Sequence, residues 1–228
     1  MFLDILFPRR CFGCGFIGSY LCPDCQKSLV LVEKDRCFYC HRSSYLGLTH
    51  PGCRQKNGVD GFIAVYQYNN TVKKIIKNIK YRLVREAMKE FLVVSGPAMV
   101  EKLHPYKKID KSFCLLPVPL HLARLRERGF NQSEVLTGFI SDILGLDKDD
   151  LLIRKKNTPP QAKLETIKDR FKNLRGAFIA KNKERIRKRK LILVDDVVTS
   201  GITAREAVKT LKKAGAESVM VFSLAKGW

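Results

Sequence analysis

Seven of the chain's eight cysteines fall within its first 53 residues, at positions 11, 14, 22, 25, 37, 40 and 53, mostly as Cys-x2-Cys pairs. A segment so rich in thiols is held by metal or by disulfides rather than by a core of its own. The pairs Cys11/Cys14 and Cys22/Cys25 have the spacing of two knuckles gripping one tetrahedral zinc ion. Cys37/Cys40 followed by His50-x2-Cys53 gives a second set, three thiolates and an imidazole, if His50 ligates. His41, next to Cys40, competes for that place, and the alternative for His50 is an ordinary loop histidine.

A disulfide framework belongs to secreted chains. Here the apolar opening residues carry Asp4, and Arg9 and Arg10 follow that run instead of preceding it, the reverse of a signal peptide. The longest uncharged apolar stretch, 91–100, is about half of a membrane span, so no transmembrane segment is expected. These features predict a cytoplasmic protein with structural zinc, one ion or two, since closed four-ligand sites keep no open position for catalysis. The lone Cys114 follows a strand pattern and reads as an inert core residue.

The formal net charge is +21, and 15 basic against 3 acidic residues lie in the stretch 154–190 alone. Such a surplus favours polyanionic partners. Beyond the cysteines, apolar positions 62, 64, 66 and 68 alternate as in a strand. Positions 72, 75, 76 and 79, and then 84–99, repeat as helices, with Pro97 a candidate kink. A strand over 113–118, a helix over 135–144, a weaker strand pair at 151–154 and 177–180, a strand at 191–194, a helix over 203–213 and a strand at 219–224 complete the chain. Strands and helices in this series predict an α/β fold with a parallel sheet flanked by helices. The division expected is a zinc-ribbon module at 1–58 and an α/β domain at 59–228, itself a strand-helix-helix lead-in (59–110) and a core (111–228).

The string Leu-Ile-Leu-Val-Asp-Asp-Val-Val-Thr-Ser-Gly-Ile-Thr, residues 191–203, runs from an apolar strand through paired carboxylates into a helix start. Gly201 lets backbone approach a ligand, and the hydroxyls of Thr199, Ser200 and Thr203 join the free N–H groups of the helix start, a cradle for phosphate. Asp195 and Asp196 then suit sugar hydroxyls or hydrated Mg2+. The alternative is two acids beside an ordinary capped helix. Arg126 and Arg128 are apt for phosphate oxygens, against the alternative of a solvated basic face. The segment 157–175 suits either a mobile lid or a linker. Lys73, Lys74, Lys77 and Lys80 share a helix face near Tyr66, Tyr68 and Tyr81, a candidate surface for single-stranded DNA, against the alternative of an ordinary basic run with strand aromatics packed in the core.

The 191–203 string resembles the phosphoribosyl-pyrophosphate motif of type I phosphoribosyltransferases. Together with the cysteine pairs, Lys80-Tyr81, Pro117-Val-Pro119, Arg126-Glu-Arg-Gly-Phe-Asn-Gln132 and Thr158-Pro-Pro-Gln161, the chain is similar to the ComF family of competence-associated proteins along nearly its whole length. His50 departs from the cysteine common there. The resemblance implies a type I phosphoribosyltransferase-like fold with Asp195 and Asp196 on the ribose hydroxyls. Val197, Thr199, Ser200, Gly201, Ile202 and Thr203 would lie around the 5′-phosphate, and Arg126 and Arg128 on the pyrophosphate side. It also implies phosphoribosyl pyrophosphate with Mg2+ as ligand, a role with single-stranded DNA in natural transformation, and a DNA-uptake helicase as partner. An active phosphoribosyltransferase with a nitrogen acceptor, unrelated to DNA, is the competing function.

Overall fold

The computed structural model describes residues 8–82, 84–109, 112–158 and 166–228. Its frame is a parallel sheet ordered β1-β6-β5-β2, from β1 (Gly61–Gln67), β2 (Cys114–Pro117), β5 (Lys190–Val198) and β6 (Ser218–Lys226). Helices α2 (Asn70–Arg82), α3 (Arg85–Ile109) and α5 (Gln132–Leu144) cover one face, and α8 (Ile202–Lys213) covers the other. Along β5 the alternation is visible: Ile192 and Val194 enter the first core, Leu191 and Leu193 the second. An antiparallel ribbon of β3 (Leu152–Arg154) and β4 (Phe178–Ala180) packs under α8 as a separate small sheet. Short helices α1 (Pro23–Lys27), α4 (Leu122–Arg128), α6 (Ile167–Leu174) and α7 (Lys183–Ile186) complete the described α-helices, and two 3-10 turns lie at Tyr45–Gly47 and Pro51–Cys53.

The period-two pattern of β1 predicts one buried face, yet residues 61–66 are all buried. Burial of both faces is what a covered parallel sheet demands. Tyr66 consequently stacks on Phe91, ring centroids 5.9 Å apart, inside the core, and leaves the candidate DNA surface. Helix α3 runs on through Pro97 and Pro105 to Ile109, past the end near Met99 that periodicity suggests. The carbonyls these prolines cannot engage belong to Val93 and Glu101, both exposed, where water can take the acceptor. Cys114 is buried in the second core, and burial pushes its thiol up to about 11.

The cysteine-rich segment is fastened to this frame. Val32 N–H donates to the Val65 carbonyl and Gln67 N–H to the Val30 carbonyl, each at 2.8 Å, so residues 30–32 line the free edge of β1. Gly47 sits at φ +65°, where a Cβ would stand 2.1 Å from the Phe62 carbonyl oxygen. Gly47→Ala should therefore lower stability by about 2–4 kcal/mol, from left-handed strain plus backbone overlap. Gly52→Ala, whose added carbon meets nothing within 4 Å, should be close to neutral. Urea unfolding of the zinc-loaded proteins checks the pair, and equal midpoints would refute the docking just described.

Candidate functional site

The cysteine pairs converge as two four-ligand clusters, Cys11/Cys14/Cys22/Cys25 and Cys37/Cys40/His50/Cys53, with ligand atoms in each within 4.8 Å of one another. Tetrahedral zinc with bonds near 2.3 Å needs sulfurs about 3.8 Å apart. Cys14 and Cys22 Sγ lie 3.5 Å apart, and His50 Nδ1 lies 3.3 Å from Cys40 Sγ, so both sets fit that ion. His50 Nε2 sits 3.0 Å from the Ser43 carbonyl. Donation there leaves the Nδ1 lone pair for metal, the usual outer-shell support of a ligating imidazole. His41 instead lies against Trp228, centroids 4.7 Å apart. Backbone N–H of Arg42 pulls the Cys40 thiol down to about 6, favouring the thiolate.

At the other end of the sheet's second core, β5 extends through Asp195 and Asp196 to Val198 and then turns through 199–201 into α8. β2 stops at Pro117, and the last bond on that side is Val118 N–H to the Val194 carbonyl at 2.9 Å. Beyond Val194, one edge of β5 therefore opens into a cleft of about 440 Å³. Gly201 caps α8 at φ +70°, and the first amides of the helix have no intrahelical acceptor. The hydroxyls of Thr199, Ser200 and Thr203 lie around the same opening.

Both carboxylates are drawn in, unlike acids at a solvent-facing strand end. Asp195 Oδ1 accepts from Ser133 Oγ at 3.1 Å and from Asp196 N–H at 2.9 Å. Asp196, 8% exposed, has the Lys80 ammonium 2.5 Å from Oδ2. Burial first, and then the neighbouring Asp196 charge, push the Asp195 carboxyl up to about 7.

The opposite wall is cationic. Arg124, Arg128 and Arg154 line it, and Lys73, Lys77 and Lys80 come from α2, so six cations surround two acids. Arg154 is 7% exposed, donates to Thr158 Oγ1 at 2.7 Å, and its buried Nε has no hydrogen-bond partner among the described residues. Burial, and then Arg124, hold its guanidinium down to about 10. Gln132 Nε2, also buried and unpartnered, lines the same cleft. Two orphaned donors beside an excess of cations suit an anionic, oxygen-rich ligand.

The cleft thus assembles Asp195, Asp196, Val197, Thr199, Ser200, Gly201, Ile202, Thr203 and Arg128. Arg126 is exposed and stays outside it. Helical spacing explains the difference, because positions 124 and 128 share a face that 126 does not. Arg154 and Ser133 escape sequence reading, since only the folded chain carries them to Asp195. Lys80 is legible as part of a basic helix face, yet its pairing with Asp196 is not. Of the candidate lid at 157–175, residues 159–165 lie outside the described residues, and α6 occupies much of the rest. The basic run at 181–190 sits at the start of β5, away from the cleft. There Arg185 and Arg189 reach Asp149 at 2.8 and 3.1 Å, and Lys181 pairs with Asp150.

Residues 131–227 match the phosphoribosyl transferase domain family, and residues 2–55 match the double zinc ribbon domain family. Competence protein F of Haemophilus influenzae is 29% identical over 231 residues, covering 96% of this chain and 98% of that one. Competence protein ComFC of Streptococcus pneumoniae is 29% identical over 216 residues, covering 91% and 88%. DNA utilization protein YhgH of Escherichia coli O157:H7 is 32% identical over 227 residues, covering 96% and 97%.

Metal analysis of the purified protein should find two zinc ions per chain, with one lost in Cys22→Ser and the other in His50→Ala. Retention of two ions by His50→Ala would remove the imidazole from the second site. A raised Asp195 pKa means that the folded state holds this proton more tightly than the unfolded chain. Its contribution is therefore fully present below about pH 4, is lost as pH rises toward about 7, and is flat above. Asp195→Asn should accordingly raise the melting temperature near pH 8 and gain progressively less as pH falls toward 4. A pH-independent effect would contradict the buried, proton-holding carboxyl.

Proposed function

The chain belongs to the ComF family of competence-associated proteins, and from that premise we propose two linked activities. Its cleft binds phosphoribosyl pyrophosphate, or a sugar phosphate of that type, with Mg2+, and the protein handles single-stranded DNA taken up in natural transformation. The turn at 199–203 would take the 5′-phosphate through backbone N–H groups and hydroxyls. Asp195 and Asp196 would accept from the ribose hydroxyls. Arg124, Arg128 and Arg154 would take the pyrophosphate. Mg2+ would be held beside the acidic pair largely by the ligand's own oxygens, and it would neutralise pyrophosphate charge.

The observation that carries this reading is Arg154: a buried guanidinium with an unpartnered Nε, lining the same cleft as the phosphate turn. A buried cation in want of an acceptor is costly unless an anion arrives. Lys80 neutralises Asp196 in the free protein. A hydroxyl donor at Asp196 would release that ammonium to a phosphate oxygen. The arginine wall also favours a second reading, turnover. A nitrogen acceptor would attack C1, the C1–O bond would break, and pyrophosphate would leave with the electron pair against those guanidinium groups.

DNA contact is narrowed by the same geometry. Lys73 and Lys77 are exposed at the cleft, beside the half-buried Tyr68 and beside Tyr81, which is 62% exposed. Phosphate contacts and base stacking would then occur at the sugar-phosphate cleft itself.

Two titrations test these proposals. Arg154→Met should weaken phosphoribosyl pyrophosphate binding in the calorimeter by roughly ten- to a hundredfold, the worth of a charge-assisted bond. It should leave ribose 5-phosphate nearly unaffected, and Arg126→Met should change neither. Equal losses for both ligands would remove the pyrophosphate assignment. In fluorescence anisotropy, single-stranded DNA should bind with a log–log salt slope of about −3, as for four or five phosphate contacts. Excess phosphoribosyl pyrophosphate with Mg2+ should displace it. DNA binding indifferent to that competitor would separate the two surfaces.

A further inference from the structure

The Cys37/Cys40 knuckle of the second zinc site lies directly beneath the phosphate turn. Phe38, between the ligands Cys37 and Cys40, is 1% exposed, and its ring abuts Gly201. A Cβ on Gly201 would stand 2.6 Å from Phe38 Cζ and 3.2 and 3.4 Å from its Cε atoms. The neighbouring contacts reinforce the arrangement. Arg205 N–H donates to the Gly201 carbonyl at 2.9 Å, and the Arg205 guanidinium lies 4.8 Å over Tyr39 and 5.4 Å over Phe38. Phe38 also packs edge-on to Phe62 and Trp228, with centroids 5.7 and 5.9 Å away. Gly201 opens α8 in a left-handed conformation, so the direction of its neighbouring amides depends on what supports it from below.

A Cys-x2-Cys knuckle has little apolar packing of its own, and its backbone is fixed when both thiolates bind metal. We propose that Phe38 is a positioning residue for the phosphate turn, and that zinc on Cys37, Cys40, His50 and Cys53 sets the affinity of that turn for phosphate by holding Phe38 against Gly201. This rests on the sugar-phosphate reading of the cleft only for the identity of the ligand. The mechanical coupling concerns residues 199–203 themselves. Zinc at the second site then acts at the ligand without touching it, as a preorganising support.

The experiment uses the full chain loaded with zinc, and compares wild type, Phe38→Leu, Phe38→Ala and Cys53→Ser. Hydrogen exchange of the 199–203 amides should accelerate at least tenfold in Phe38→Ala and Cys53→Ser, and less in Phe38→Leu, which keeps part of the contact. Affinity for phosphoribosyl pyrophosphate with Mg2+ should fall in the same order. Tyr45→Ala, a change at an 81% exposed position of the same module, should leave the exchange unaltered. Emission of Trp228, the chain's only tryptophan, reports independently whether the aromatic floor has loosened.

A direct contact is also non-additive. Gly201→Ala should weaken binding in wild type, and part of that loss should be recovered when Phe38→Ala removes the obstructing ring, although the left-handed strain persists. Additive losses, or wild-type exchange at 199–203 in both Phe38→Ala and Cys53→Ser, would overturn the proposal. If Cys53→Ser does not fold, the two Phe38 variants decide. If wild type binds no phosphoribosyl pyrophosphate while the exchange still accelerates, the ligand reading fails and the coupling stands.

Discussion

The early end of β2 governs the rest of the molecule. Pro117 and Pro119 cannot donate to a ladder, so β2 leaves β5 at Val194 while β6 stays paired with it as far as Val198. Four residues of β5 are left with one bare edge, at the carboxyl ends of parallel strands and between helices that cover opposite faces. That is where open α/β sheets hold ligands. The sequence places its two acids in those few positions and its small hydroxyl residues in the turn and helix start that follow. Chain chemistry and sheet geometry therefore coincide there.

What fills that crevice is decided by electrostatics. Two adjacent carboxylates drawn out of water repel one another, and Asp195 responds by holding a proton to about pH 7 while Asp196 takes Lys80 as its partner. Arg154 and Arg124 stand in the reverse condition, each drawn out of water beside a second guanidinium, and neither pairs with a carboxylate among the described residues. Each arrangement costs stability in the free protein. On the proposed reading, a sugar whose hydroxyls lie between two phosphate-bearing ends would relieve them together.

Legibility from sequence followed the locality of each interaction. The 191–203 string could be read because strand, acids, turn and helix are contiguous, and a parallel α/β fold could be read from the order of elements. Arg154 could not, for it sits on a three-residue strand that only tertiary folding brings to Asp195. A string of residues does not show that Arg124 and Arg128, four apart on α4, share the face that lines the cleft while Arg126 does not. Tyr66 failed as a surface aromatic because alternation alone cannot distinguish a half-covered strand from one covered on both faces. The His50-x2-Cys53 spacing favours His50 over His41, and the Ser43 carbonyl that orients His50 is a contact no spacing reveals.

The boundary at residue 58 is clear in composition and weak in physics. Cys11, Phe12, Leu21, Cys22 and Cys25 belong to one of the main cores, while Val32 and Phe38 belong to the other. Residues 30–32 cover the edge of β1, which would otherwise present unpaired backbone groups along an apolar strand. A segment too small and too polar to bury a core alone thus borrows the core of its neighbour, and the neighbour borrows its edge cover and the floor under Gly201. Metal binding fixes this loan at two points, because an ion that orders a knuckle also orders whatever the knuckle packs against. The cysteine-rich segment therefore shares both cores with the sheet instead of burying one of its own.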